Sequence, residues 1–360
     1  MSYVRPLGSG GFADVYLYEQ DLPRRVVAVK VLSGELLDNA AMRAFHAEAD
    51  VLARLSTHPS VVTVHQASVA PDGRPYLVME FCPDSLGARA KRAPLGLAEV
   101  LDAGVRVASA LETAHRSGVL HRDIKPSNIL VTTLGSPVLA DFGIAAAVTG
   151  QVAATVAMSV PWSAPEVLDG RVAGSVASEL WSLAATLHTL LAGRAPFEVD
   201  DRAKNSRESM TARILRGGPQ RIGRDDVPDR VEQILRRGMS QDPARRQPSM
   251  LALAEELRWV QYELGWAPTA LEVPATDWAR GATPVDLDDA APRGPVVARV
   301  GGGGRRAARA ARQADHVDRD GLVIAGPARN AARRAAVWGA AGGAVLMAGL
   351  AALLHQTGLL

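Results

Sequence analysis

Between His121 and Gly143 the chain reads His-Arg-Asp-Ile-Lys-Pro-Ser-Asn-Ile-Leu-Val, then nine further residues, then Asp-Phe-Gly. This stretch constrains the fold more than any other. Ile129-Leu130-Val131 and Val138-Leu139-Ala140 are apolar runs too short for helices, and the turn-prone Gly135-Ser136-Pro137 lies between them. They read as two short buried strands of a hairpin. A hairpin brings its ends together, and so draws Asn128 toward Asp141. A carboxamide and a carboxylate are hard oxygen donors of the kind Mg2+ takes while keeping part of its water shell. Asp123 then stands close by as a base, and Lys125 as a point charge for an anionic group.

In this order the four polar residues resemble the catalytic and metal-binding loops of eukaryotic-like protein kinases. Lys125, two residues after Asp123 and followed by Pro126, resembles the Ser/Thr-specific members. The resemblance runs from residue 1 to about residue 265 and is nearest to the bacterial membrane-associated Ser/Thr kinases. It implies an α+β, two-lobed fold, β-rich at the N-terminus and helical at the C-terminus. The expected parts are an N-lobe and hinge at 1–82 and a C-lobe at 83–266. A Pro/Gly/Arg-rich linker over 267–334, a transmembrane helix at 335–354 and a short exterior tail at 355–360 would follow.

The segments on either side of the hairpin add to this picture. Leu7-Gly8-Ser9-Gly10-Gly11-Phe12-Ala13 is a glycine cluster running into alternating apolar residues, a strand-turn-strand pattern. Glycines let backbone approach a phosphate and leave amide N–H groups free to donate. Ala13 stands where the kinase pattern has a third glycine. In Val26-Val27-Ala28-Val29-Lys30-Val31-Leu32 one lysine sits in an apolar strand, and a buried lysine demands a partner. A helix from about Ala40 to Leu55 offers Glu48. By resemblance, Lys30 binds the α and β phosphates of ATP and Glu48 orients it. Gly8, Ser9, Gly10 and Gly11 would cover the nucleotide, with Val15 and Ala28 sandwiching the purine. Backbone groups around Glu80 and Cys82 would hold adenine, beside a gatekeeper Met79. Asp123 and Lys125 would carry the chemistry, with Asn128 and Asp141 holding Mg2+, or Mn2+ in its place.

Leu97 to Ser117 carries a helical apolar stripe that Gly118 stops. Ile144 to Ala157 reads as a loop with hydroxyls at Thr149 and Thr155 and another just beyond at Ser159, where a phosphate on Thr155 could pair with Arg122. The resemblance also implies an ion pair of Glu166 with Arg246 or Arg245. Glu179 stands where the family has Asp, a carboxylate that fastens the catalytic loop. With one more methylene, that clamp is expected to be re-aimed or slightly loose. A last helix is expected over Leu251 to Leu264.

Composition bounds the rest. The net charge of +2 gives no sign of nucleic-acid binding, and the single cysteine, Cys82, excludes an intramolecular disulfide. Ten Arg and six Asp between Gly281 and Arg334 give that stretch +4, leaving −2 for the remainder. Ala335 to Leu354 holds 20 residues without a charge, about 30 Å as a helix. Arg329, Arg333 and Arg334 precede it and no Lys or Arg follows, so the kinase would face the cytoplasm. Gly339 and Gly343 could pack two such helices into a homodimer. The expected function is ATP-dependent phosphorylation of Ser/Thr in protein substrates, with autophosphorylation, at the cell membrane. A rival reading of another class, a catalytically weak nucleotide-binding scaffold tethered to the membrane, rests on Ala13 and Glu179.

Overall fold

The computed structural model describes residues 1–9, 13–32, 45, 49–142 and 159–273. The described chain begins with a five-stranded antiparallel sheet in the order β1-β2-β3-β5-β4: β1 (Ser2–Ser9), β2 (Ala13–Asp21), β3 (Arg24–Leu32), β4 (Val64–Val69) and β5 (Pro75–Glu80). Alternation gives each strand two faces. Val27, Val29 and Val78 pack together on one face, with Tyr18, Val31 and Tyr76 at its margin. The other face carries Ala28 and Lys30 on β3, opposite Val15 on β2 and opposite Leu77 and Met79 on β5. Residues 49–55 are helical and lead into a loop over 58–63.

Beyond the hinge the fold turns helical. Two helices come first, α1 (Leu86–Arg92) and α2 (Leu97–Arg116). Ser85 caps α1 by accepting from the Ala88 N–H, and Gly118, at φ 74°, turns the chain after α2. A second small sheet joins β6 (Asp84–Ser85), β7 (Ile129–Val131) and β8 (Pro137–Leu139), with Ile129 opposite Leu139. The expected hairpin is therefore present. Its second strand starts one residue earlier than the apolar run because Pro137, which needs no ladder N–H, sits at its first position.

The remaining helices are α3 (Pro165–Leu168), α4 (Val176–Ala192), α5 (Arg207–Arg216), α6 (Asp229–Gly238) and α7 (Met250–Glu263). The core centres on α4, where Leu180, Trp181, Leu183, Ala184, Leu187 and Leu190 are buried nearly completely. Ser175 and Ser178 form a reciprocal capping box at its start, and Gly193 at φ 72° closes its end. Apolar on almost every side, α4 has to be surrounded by protein. Among the described residues no helix is long and apolar enough to cross a membrane. The stretch 335–354, most of the linker and the exterior tail lie outside the described residues.

Candidate active site

The catalytic loop precedes β7 and is held from beneath by α4. The Arg122 backbone adopts φ 67°, in the left-handed region. For a residue with a Cβ this costs roughly 1–3 kcal/mol. The Arg122 N–H donates to Glu179 Oε1 at 2.6 Å, and the other oxygen of Glu179 meets His115 Nε2 at 2.6 Å. A buried charge-assisted bond to backbone offsets strain of that size. About two and three turns further on, Thr186 Oγ1 donates to Ile124 O at 3.4 Å, and Thr189 Oγ1 accepts from Trp162 Nε1 at 3.0 Å. Positions 179, 186 and 189 share one helical face. A single buried helix thus fixes the catalytic loop at two points and the 159–163 segment at a third.

The clamp of Glu179 is neither loose nor aimed elsewhere. Its extra methylene lets it span two partners, the Arg122 N–H and His115, which sets the outcome expected for Glu179→Asp. The shorter carboxylate reaches one of the two at hydrogen-bond distance, so turnover should fall about 3- to 30-fold, equivalent to losing one hydrogen bond of roughly 1–2 kcal/mol. Steady-state turnover of the variant checks this; unchanged turnover would show that the His115 contact is dispensable.

On the surface of the loop, Asp123 is the centre of a polar cluster. Lys125 Nζ and Asn128 Nδ2 donate to Asp123 Oδ2 at 2.6 and 3.0 Å. Ser159 Oγ donates to Oδ1 at 2.5 Å and itself lies 3.2 Å from Lys125 Nζ. Sequence reasoning placed Ser159 only among the loop hydroxyls. Its place just before Trp162 was the available signal, because Trp162 is the residue that bonds to α4. Gly87 was also missed. A Cβ there would stand 2.7 Å from Ser127 N, so the start of α1 approaches the catalytic-loop backbone as only glycine permits.

Across the cleft, Lys30 finds a partner. Its Nζ lies 2.6 Å from Asp141 Oδ1, with the lysine side chain 13% and the aspartate 44% exposed. Burial pushes the Asp141 carboxyl up, but the charge and hydrogen bond of Lys30, with His121 and Lys125 nearby, outweigh it and hold the carboxyl below its ordinary value. Asp141 has φ 61°, the second left-handed residue of the site. Asn128 O accepts from the Ala140 N–H at 2.9 Å, so the hairpin does bring Asn128 and the Asp141 segment together. Asn128 directs its Nδ2 to Asp123 while its Oδ1 accepts a long bond from Ser127 Oγ at 3.3 Å, and Asp141 commits one oxygen to Lys30. This donor set suits a divalent cation that keeps waters and phosphate oxygens.

Several of the positions expected to meet the nucleotide lie close together on the sheet. Val15 pairs directly with Lys30, and Ala28, two residues away on β3, shares their face. Gly8 and Ser9 end β1 opposite Val15 and Asp14. The Glu80 N–H is taken by Thr63 O at 2.9 Å. Burial and the charge of Glu80 push the Cys82 thiol up to about 12, so it is protonated at neutral pH. Glu48, Gly10, Gly11, Thr149 and Thr155 lie outside the described residues. Glu166 and Arg246, not Arg245, form a buried bidentate pair at 2.6 and 2.8 Å.

His121 is fully buried against Phe142, its Nε2 2.9 Å from Ala140 O and its Nδ1 accepting from the Asp123 N–H. Burial pushes its pKa down, as it does for His58 and His188. The neutral rings contribute stability that is full above about pH 6.5 and is lost as the pH falls from there through the folded values. Melting temperature should therefore drop between neutrality and pH 5. A flat profile over that range would count against neutral, buried histidines.

The protein kinase domain model matches residues 1–257, most of the chain. The chain belongs to the protein kinase family. Among curated proteins, this kinase is similar to the serine/threonine-protein kinase PknK of Mycobacterium tuberculosis, 41% identical over 278 residues that make up 75% of the chain and 24% of PknK. It is also similar to PknD of the same organism, at 35% identity over 68% of the chain and 37% of PknD. PrkC of Bacillus subtilis is 32% identical over 68% of the chain and 38% of PrkC. These matches place it among bacterial serine/threonine kinases, a family that uses ATP and a divalent metal. The chain spans between about a quarter and two fifths of the length of these relatives.

Proposed function

We propose that this kinase transfers the γ-phosphoryl group of ATP to Ser or Thr of protein substrates. The observation that carries the reading is the polar cluster around Asp123, facing a Lys30–Asp141 pair across the cleft. Asp123 orients the incoming hydroxyl and accepts its proton, and Lys125 offsets charge on the transferring group. Ser159 already donates to Asp123 where a substrate hydroxyl would. Lys30 binds the α and β phosphates, oriented by Glu48, which the structure does not describe. Gly8, Ser9, Gly10 and Gly11 lie over the phosphates, Val15 and Ala28 enclose the purine, and backbone at Glu80 and Cys82 meets its edge. Asn128 and Asp141 would hold Mg2+, which supplies charge neutralisation when bound.

The same reading anchors the kinase to the membrane through 335–354, with a linker from 274 rather than 267, because residues 267–273 are held against the domain, and leaves 355–360 on the far side. Paired copies of that helix are part of it. Its support is the uncharged run and the arginines before it. Incubating the full chain with γ-labelled ATP, Mg2+ and a generic protein acceptor tests the central claim, with label expected on acceptor and kinase. No transfer from a chain that binds ATP would favour the scaffold reading.

A further inference from the structure

The last helix does not end the ordered chain. After α7, Gly265 at φ 74° reverses the backbone, and Trp266 N–H returns to Gln261 O at 2.9 Å. Residues 266–273 then run back along the domain and are fastened at several points. The Thr269 N–H donates to Gln261 Oε1, Gln261 Nε2 donates to Thr269 Oγ1, and Thr269 Oγ1 donates to Asp102 Oδ1, each at 2.9 Å. Thr269 and Gln261 are 8% and 3% exposed, so the two bonds between them form away from solvent, while the bond to Asp102 lies nearer the surface. Leu271 packs on the main hydrophobic core. The segment reaches the loop 58–63, where Glu272 O lies 2.7 Å from His58 Nε2.

That loop is wired to the active site. His58 Nδ1 accepts from the Ser60 N–H at 3.0 Å, so the ring is neutral with its proton on Nε2, donating to Glu272 O. Ser60 O accepts from the Leu139 N–H at 2.9 Å, and Leu139 O accepts from the Val62 N–H at 3.0 Å. Leu139 ends β8, two residues before Asp141. Thr63 O holds the Glu80 N–H at the hinge. A continuous set of hydrogen bonds thus joins the strap to both the Asp141 segment and the hinge.

The seat also carries a built-in penalty. Glu272 Oε2 is buried without a hydrogen-bond partner. An unpaired buried carboxylate oxygen opposes burial. The end of the strap is therefore held by fewer favourable terms than its middle at Thr269, and it is the part that would release first.

We infer that residues 266–273 form a regulatory strap. When seated, it holds loop 58–63, and through it Asp141 and the hinge, in the arrangement that binds ATP with its metal. The strap is continuous with the chain from residue 274 onward, so a pull or a partner on that tail unseats it and weakens nucleotide binding. The inference rests on the kinase reading for its consequence, but not for the seat itself.

The test uses the full chain and a Thr269→Val/Leu271→Ala variant, neither position belonging to the nucleotide site. Amide hydrogen exchange without nucleotide should quicken at least five-fold at Ser60, Val61, Val62 and Leu139, while amides within α4 stay protected. Affinity for ATP in Mg2+, read by direct titration, should weaken at least three-fold. Thr269→Ser, which keeps the hydroxyl, should match the unaltered chain in both measurements. Unchanged exchange in the double variant would overturn the seat. Faster exchange with unchanged ATP affinity would overturn the coupling, and neither arm depends on phosphoryl transfer.

Discussion

Asp123→Asn is expected to lower phosphoryl transfer by about 10²–10⁴-fold, the range for losing a positioned general base. ATP affinity should be largely unchanged, because Asp123 contacts Lys125, Asn128 and Ser159 and none of the residues on the Lys30 face of the sheet. The amide is nearly isosteric, so Asn128 and Ser159 keep a partner of similar shape. The amide loses the charge, the proton acceptance and one of the two accepting oxygens. Single-turnover transfer and nucleotide titration on the same sample separate the two effects. A variant that binds ATP but still transfers phosphate within ten-fold of the unaltered rate would remove Asp123 from the reaction.

The second large effect is on stability. The Arg246 side chain is fully inaccessible and Glu166 is 6% exposed. Arg246 also donates to Ala177 O at 2.7 Å and to Ser240 O at 2.9 Å, and its guanidinium lies 5.2 Å from the ring centroid of Trp181. Glu166→Ala leaves that cation buried with no counter-charge, a change that costs about 3–5 kcal/mol. Replacing both partners with apolar residues of similar volume should cost far less, because no charge is then stranded. Denaturant midpoints of the single and double variants decide the matter. A Glu166→Ala loss below about 1 kcal/mol, the level of a surface pair, would mean that water reaches Arg246 in solution.

Much of the catalytic stretch was legible because its geometry is local. The hairpin at 129–139 follows from two short apolar runs and a turn, and a hairpin necessarily joins its ends. The ends of α2 fell within about a residue of the apolar periodicity and its glycine stop, and those of α7 within a residue of the helix expected from the family pattern. The Glu166–Arg246 pair came from family pattern, and burial then selected Arg246 over Arg245, which stays at the surface near Asp242.

What escaped the sequence is what depends on distant elements meeting. Lys30 demanded a partner, but its strand does not say that Asp141, 111 residues away, lies within 2.6 Å. The second bond of Glu179 needs His115 to arrive from another helix. Ser159 and Gly87 look ordinary in sequence and gain meaning only from what they face. The strap at 266–273 was read as the start of a linker because its composition is that of one. Thr269 and Glu272 are held by partners on α2, α7 and the 58–63 loop that no local pattern announces.

The inward face of α4 has a consequence for how this chain tolerates change. Glu179 and Thr186 hold the loop that carries Asp123, and Thr189 holds Trp162, next to the turn that carries Ser159. In a saturation library selected for phosphotransfer, this helix should be depleted of variants nearly as strongly as the catalytic loop. The nearby solvent-facing positions of α5 and α6 should accept most replacements. A map of permitted residues would then outline the support beneath the active site more sharply than a map of its contacts with substrate.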